Sequence, residues 1–166
     1  MACFVLVHGA FEGGWCWSRV APLLRAAGHA VFSPTLTGCG ERFHSLTRET
    51  TLSTHAGELE RLLFHQDLRG VVLVGADRAW VDARRHPHPL RSLYEPLQLE
   101  HAPPPRTYVV HTRREGLVKL FGVDPLAPFA ARARAEGWRT AAIDAPHDAM
   151  ITHPRGVVEA LFADAR

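Results

Sequence analysis

Short apolar runs that end in glycine or in polar residues recur along the chain and predict five β-strands. The first is CFVLV at residues 3–7, and VVLV at residues 71–74 has the same uninterrupted apolar character. Such runs are typical of strands that are buried on both faces of a sheet. The segments HAVFSPTL, TYVVHT and WRTAAIDA, at residues 29–36, 107–112 and 138–145, predict the other three.

Segments with apolar residues at helical spacing lie between these strands. Gly28 stops the first of them, and Asp124 followed by Pro125 begins the fourth as an N-cap residue and a first-turn proline. The pattern predicts helices over residues 16–27, 52–68, 77–85, 124–137 and 153–165. Strands that alternate with helices in this way predict the α/β class, with a mostly parallel sheet covered by helices on both faces.

The ends of the predicted strands are where a ligand is expected. In parallel α/β sheets, ligands bind beyond the carboxyl ends of the strands. The segments HGAFEGG, GADRA, HTRREG and APHDAM all follow predicted strands. We therefore expect catalytic or ligand-binding residues in these four segments.

Length and charge limit the classes of function. The chain has 166 residues, of which 46% are hydrophobic, and this fits one domain over residues 1–166. The 19 basic and 17 acidic residues nearly balance, and the arginines are scattered. A nucleic-acid or membrane partner is therefore not expected, whereas a small neutral or anionic ligand is.

The cysteines and the first residues indicate the compartment. Cys3, Cys16 and Cys39 are an odd number at spacings that fit neither a disulfide framework nor a zinc site, so we expect reduced thiols. We expect no metal and no cofactor. The apolar run before His8 is too short for a signal peptide or a membrane span. The expected location is the cytoplasm.

Two long segments resemble a known family. FVLVHGAFEGGWCWSRVAPLLRAAGHAVFSPTLTGCGER, at residues 4–42, closely resembles the amino-terminal segment of the α/β-hydrolase superfamily, in the branch of the methylesterases and hydroxynitrile lyases. PFAARARAEGWRTAAIDAPHDAMITHP, at residues 128–154, also resembles that branch. The resemblance implies a reduced α/β-hydrolase-like sheet with the strands in the order 30s, first, 70s, 106–111 and 139–144.

The resemblance breaks off after the strand at residues 71–74. The family pattern there is a nucleophile elbow, GHSxGG, whereas this chain reads GADRAW. Residues 76–105 resemble a junction followed by a remnant of the family's cap, so the elbow, its helix, the next strand and most of the cap are inferred to be absent. Asp77 stands at the serine's position, either as an aspartate nucleophile or as the favourable acid of a helix N-terminus.

The family's proton-transfer residues are carried over by position. His147, in the GHDAM-like turn, resembles the general base, and a loop histidine with no such role is the alternative. Glu115 and Asp124 lie where the acid that orients this base would lie. Glu115 is otherwise a solvated loop charge, and helix capping alone explains Asp124.

Ligand-binding residues are also implied by the resemblance. The amides of Ala10 and Phe11 lie where this branch builds half of its oxyanion hole. With no elbow, the other half is either missing or supplied by Arg78. Gly9 and Asp148 stand where lyase members have threonine and lysine, which favours esterase ancestry. The other histidines, including His88, are interpreted as surface or loop residues.

Two functions follow from these observations. The first is a hydrolase of esterase ancestry that acts on a small ester, lactone or related carbonyl compound, with impaired or altered activity because the serine is absent. The alternative is a non-catalytic ligand-binding or interaction module, which can form a homodimer through sheet edges left open by the missing strand.

Overall fold

A computed structural model describes most of the chain. The described residues are 1–75, 88–89, 91–92, 95–96, 104–115, 118–119 and 122–164. They group into two compact units, Met1–Gln98 and Leu99–Arg166. A single domain over residues 1–166 stays a prediction, and most of the junction at residues 76–105 lies outside the described residues.

The first unit is built on three parallel strands in the order β2-β1-β3. They are β1 (Cys3–Val7), β2 (Ala30–Phe32) and β3 (Val71–Gly75), so the predicted first and third strands are confirmed almost to the residue. The central strand β1 has a neighbour on each side, and its Phe4 and Leu6 side chains are fully buried. Burial on both faces explains why this run contains no polar residue.

Proline decides where the first helix begins. The pattern predicts one helix over residues 16–27, but the chain forms a 3-10 turn at Gly14–Trp17 and then α1 at Ala21–Ala26. Pro22 lies in the first turn of α1. Proline has no N–H to donate inside a helix and is tolerated only there, so the helix cannot start earlier.

The helix α2 spans Leu52–His65, between a 3-10 segment at Gly40–Ser45 and β3. The Thr51 side chain caps it by accepting the backbone N–H of Thr54. The helix ends earlier than the predicted Leu68, because Asp67 takes a left-handed conformation with φ of 45°.

The second unit contains two parallel strands, β4 (Thr107–Arg113) and β5 (Arg139–Pro146). Its helices are α3 (Ala127–Ala135), α4 (Ala149–Thr152) and α5 (Pro154–Asp164). No helix in the described ranges is both long enough and apolar enough to cross a bilayer.

The start of α3 corrects the predicted start at residue 124. The Asp124 carboxylate accepts the backbone N–H of Leu126 at 2.9 Å, as a capping residue would. It caps a turn, however, and the helix itself begins at Ala127 with Pro128 in its first turn.

All five described strands are parallel, as predicted, but they form two sheets, β2-β1-β3 and β4-β5. The sequence predicted one sheet of five strands. That prediction assumed that the neighbours of a missing strand would close up and pair. The pairings among the described strands join strands of the same unit.

Close packing of glycines fixes the loop that follows β1. A Cβ atom on Gly14 would lie 2.3 Å from the Ser33 carbonyl oxygen, and one on Gly13 would lie 3.1 Å from Cα of Gly40. The Gly14 N–H also donates to the Thr35 hydroxyl at 2.8 Å. The loops after β1 and β2 are therefore in backbone contact, which explains glycine at residues 13 and 14.

Gly14→Ala is expected to destabilise the first unit by about 1–3 kcal/mol, because the added methyl group meets backbone that must move. Gly57→Ala is the matched control. Its Cβ would meet only the end of the flexible Arg61 side chain, and alanine favours the helix by up to about 1 kcal/mol. Urea unfolding followed by tryptophan fluorescence measures both variants, and equal stability of the two would contradict the packing argument.

Candidate functional site

A buried imidazole holds the loops at the carboxyl ends of β1 and β2. The His8 side chain is 6% exposed. Its Nδ1–H donates to the Gly9 carbonyl at 2.8 Å, and its Nε2 accepts the N–H of Leu36 at 3.0 Å. Burial lowers the pKa of His8, so the neutral ring with its proton on Nδ1 is the form that fits both partners.

A buried carboxylate lies in the same loop. Glu12 is 1% exposed, and its Oε2 accepts the N–H of Gly9 at 3.2 Å. Burial raises the pKa of the Cys16 thiol, and the neighbouring Glu12 carboxylate raises it further. Cys16 is therefore an unreactive thiol, and Glu12 fixes the turn that presents Ala10 and Phe11.

The candidate oxyanion amide of Phe11 has a partner within the chain. Phe11 has a left-handed backbone with φ of 68°, and its N–H donates to Nδ1 of His88 at 3.3 Å. The two rings are in contact, with centroids 5.4 Å apart. His88 lies in a loop, as one of the two interpretations had it, but its ring is half-buried against the loop that the sequence marks for binding and is not a freely exposed surface group.

The surroundings of His88 keep it neutral. Burial lowers its pKa to about 4, with further contributions from His55 and His8. The Cys39 sulfur lies 3.7 Å from Nδ1, and burial raises the pKa of that thiol to about 11. At neutral pH both groups are uncharged, so Cys39 is not a thiolate nucleophile beside the Phe11 amide.

A second polar network orders the loop after β2. The Glu58 carboxylate on α2 accepts the N–H and the hydroxyl of Thr37, at 2.8 and 2.6 Å, and pairs with Arg42 at 2.9 Å. Partial burial raises the pKa of Glu58, but the Thr37 and Arg42 contacts outweigh it and hold the pKa below its ordinary value. His55 adds a hydrogen bond to the Thr37 carbonyl.

A cavity of about 360 Å³ opens beside this network. It is lined in part by Leu36, Arg42, Glu58, Arg61 and His65, whereas Ala10 and Phe11 are not among its lining residues. The amide pair and this cavity are therefore different places in the first unit.

The second unit carries the predicted base. His147 directly follows β5 and is 7% exposed. Its ring meets that of His111 on β4 edge to face, with centroids 5.8 Å apart. The predicted location of His147 at a strand end is thus observed, and His111 is a neighbour that the sequence analysis did not single out.

The two candidate orienting acids differ in their surroundings. The Asp124 carboxylate binds Arg114 at 2.7 Å as well as the Leu126 N–H. Partial burial raises the pKa of Asp124, but these two contacts outweigh it and lower the pKa overall. The Glu115 side chain is exposed. Asp124 therefore has a structural explanation that needs no catalytic role, whereas Glu115 lies where a solvated charge would.

The remaining predicted residues are Asp77, Arg78 and Ala10. Asp77 and Arg78 lie outside the described residues. Ala10 is half-buried in the loop after β1, next to Phe11. In the part of the chain that the structure describes, no three His, Cys, Asp or Glu side chains converge as metal ligands would.

Sequence reasoning missed His88 and Glu12 for different reasons. Glu12 offered a signal in its position, because it is an acid inside a glycine-rich loop directly after a buried strand. His88 offered none, since it is 77 residues from Phe11 in the chain and only the fold brings the two together.

Comparison with known proteins gives matches to the amino-terminal part of the chain. A sequence profile described as the alpha/beta hydrolase family matches residues 4–78. A carbendazim hydrolyzing esterase of a Nocardioides species is 48% identical over 75 residues, which are 45% of this chain and 31% of that protein. Methylesterase 8 of Arabidopsis thaliana is 42% identical over 73 residues, 43% of this chain and 27% of its own length. The matched segment thus spans less than a third of either relative.

Solved structures extend the likeness in fold. A methylesterase of Arabidopsis aligns with a TM-score of 0.76 at 18% identity, over 99% of both chains. Polyneuridine aldehyde esterase aligns with a TM-score of 0.77 at 15% identity, over the full length of both chains. Identities this low establish the fold alone. The chain therefore has the α/β-hydrolase fold, and its residues 4–78 are similar to the amino-terminal segment of α/β-hydrolases that include methylesterases.

Proposed function

We propose that this protein is a hydrolase of esterase ancestry that binds a small ester, lactone or related carbonyl compound at the amides of Ala10 and Phe11. The observation that supports the proposal is the Phe11 N–H, which a left-handed backbone directs at a hydrogen-bond acceptor. An amide held in this way can equally stabilise the negative charge that develops on a carbonyl oxygen.

The proposed chemistry uses water as the nucleophile. In the second unit, His147 is the proposed general base: it takes a proton from a water molecule that attacks an ester carbonyl, and it returns the proton to the departing alkoxide. The sequence contains no G-x-S-x-G segment, and Asp77 stands at the elbow's serine position. Loss of an activated serine removes most of the rate advantage of such enzymes, so we propose weak hydrolysis.

Hydrolysis of p-nitrophenyl acetate tests this proposal. We expect slow turnover by the wild type and a fall of about 10²- to 10⁴-fold in His147→Ala, which is the usual contribution of a general base. His44→Ala, which removes an exposed histidine of the first unit, serves as the control and should retain the wild-type rate. Equal rates in the wild type and in His147→Ala would contradict the proposal.

A fluorophosphonate probe separates this route from a serine mechanism. The proposal expects no covalent adduct on any serine, with the intact mass remaining at that of the 18.4 kDa chain. Stoichiometric labelling of one serine would replace the water mechanism with a covalent one.

A second candidate function is a non-catalytic module that acts as a homodimer. Leu73, in the middle of β3, is 62% exposed, although its register partner Val5 on β1 is 1% exposed. In the described sheet β3 is an edge strand with β1 as its neighbour. An exposed apolar edge strand is a surface that other strands readily join.

Sedimentation velocity tests the homodimer. We expect the wild type to sediment as a dimer and Leu73→Lys as a monomer, because a charge on the strand opposes edge pairing. Phe64→Lys is the matched control, since Phe64 is 80% exposed on α2 and its replacement should leave the dimer intact. A monomeric wild type would remove the support for this candidate.

A further inference from the structure

We propose that His88 is an internal ligand of the Phe11 amide. The Phe11 N–H donates to His88 Nδ1, and the same N–H would donate to a carbonyl or carboxylate oxygen of a bound compound. A ligand therefore has to displace His88 to bind at this amide. The inference deepens the proposed function, because it rests on Phe11 as a binding amide and adds how access to that amide is controlled.

The backbone of Phe11 prepares the contact. Residues with a side chain rarely adopt a φ of 68°, and they do so where the surrounding structure requires it. Here the conformation turns the Phe11 N–H toward His88 Nδ1, 3.3 Å away, while the Phe11 ring packs against the imidazole with centroids 5.4 Å apart. One side chain thus occupies both the amide and the apolar surface next to it.

The hydrogen bonds determine which nitrogen of His88 carries the proton. Because Nδ1 accepts from Phe11, the neutral ring has its proton on Nε2. That Nε2–H donates to the Ser92 hydroxyl at 3.0 Å, and the hydroxyl donates onward to the Pro89 carbonyl at 2.7 Å. His88 is therefore not a base for Ser92, and the pair fixes the ring instead of forming a nucleophile.

The charged and titratable groups near the ring keep it an acceptor. His55 on α2 lies with its ring centroid 6.1 Å from that of His88, His8 contributes from the end of β1, and the Cys39 thiol faces Nδ1. Burial and the two histidines lower the pKa of His88 to about 4, so Nδ1 is unprotonated at neutral pH. As the pH falls toward that value, Nδ1 gains a proton, becomes a donor and can no longer hold the Phe11 N–H.

The contact is weak enough to be displaced. Nδ1 accepts one long backbone hydrogen bond, at 3.3 Å, and otherwise faces the Cys39 sulfur at 3.7 Å. A neutral hydrogen bond changes an equilibrium constant by roughly two- to tenfold. A ligand oxygen that accepts the same N–H replaces this bond, and so His88 lowers the affinity of the amide for ligands without abolishing it. The geometry predicts competition between an internal nitrogen and an external oxygen for one N–H.

Sodium acetate is the probe, because its carboxylate is a small oxygen acceptor. The experiment follows the Phe11 amide resonance of protein labelled with ¹⁵N-phenylalanine during an acetate titration at neutral pH. In His88→Ala we expect a saturable shift with acetate affinity roughly two- to tenfold above the wild type, since the competitor is gone. His88→Asn is the matched control, because its side-chain oxygen can take the place of Nδ1 and should keep the affinity at the wild-type level.

Equal acetate affinity in the wild type and in folded His88→Ala would overturn the inference, as would increased affinity in His88→Asn to the level of the alanine variant. A second measurement needs no variant. The imidazole ¹⁵N shifts of wild-type His88 should show Nδ1 without a proton and Nε2 with one, and the opposite tautomer would overturn the proposal even if His88→Ala fails to fold.

These readouts are independent of catalysis. Failure of the proposed hydrolysis would appear as ester turnover that His147→Ala leaves unchanged. Failure of this inference would appear as acetate affinity and a His88 tautomer that do not follow the expected pattern.

Discussion

The two hydrogen bonds of the buried His8 imidazole are the constraint on which the rest of the first unit depends. They join the Gly9 carbonyl after β1 to the Leu36 N–H after β2, and so tie together the loops at adjacent strand ends. Each such bond contributes about 0.5–1.5 kcal/mol, and loss of the ring would also leave buried backbone groups unsatisfied at about 1–3 kcal/mol. Gly14 against Ser33 and Glu12 on Gly9 complete the same junction.

Neutral imidazoles at this junction link stability to pH. The pKa of His88 is about 4 in the folded chain against an ordinary value of 6.5, so the unfolded chain binds the proton more readily. The contribution of neutral His88 to the free energy of unfolding is complete above about pH 6.5 and is lost as the pH falls toward 4. Burial lowers the pKa of His8 in the same direction. Acid therefore loosens the loop that carries Ala10 and Phe11.

Local signals in the sequence determined most of the elements. β1 and β3 lie where uninterrupted apolar runs place them, and helix α2 begins after Thr51. Helix α1 is shorter than its apolar spacing predicts, because Pro22 competes with that spacing. The pattern of a single strand does not show which neighbour it pairs with, and the order of the five strands was inferred from the resemblance.

The candidate site was predictable only where chemistry is local. The loop from His8 to Gly14 was found from its own residues, and His147 was placed at the end of β5. Phe11 and His88 are 77 residues apart in the chain, so no spacing rule could find their contact.

The tautomer of His8 tests the central claim most directly, and imidazole ¹⁵N shifts at a pH just below 6.5 measure it. The account predicts a neutral ring with the proton on Nδ1, and a protonated ring or a proton on Nε2 would contradict it.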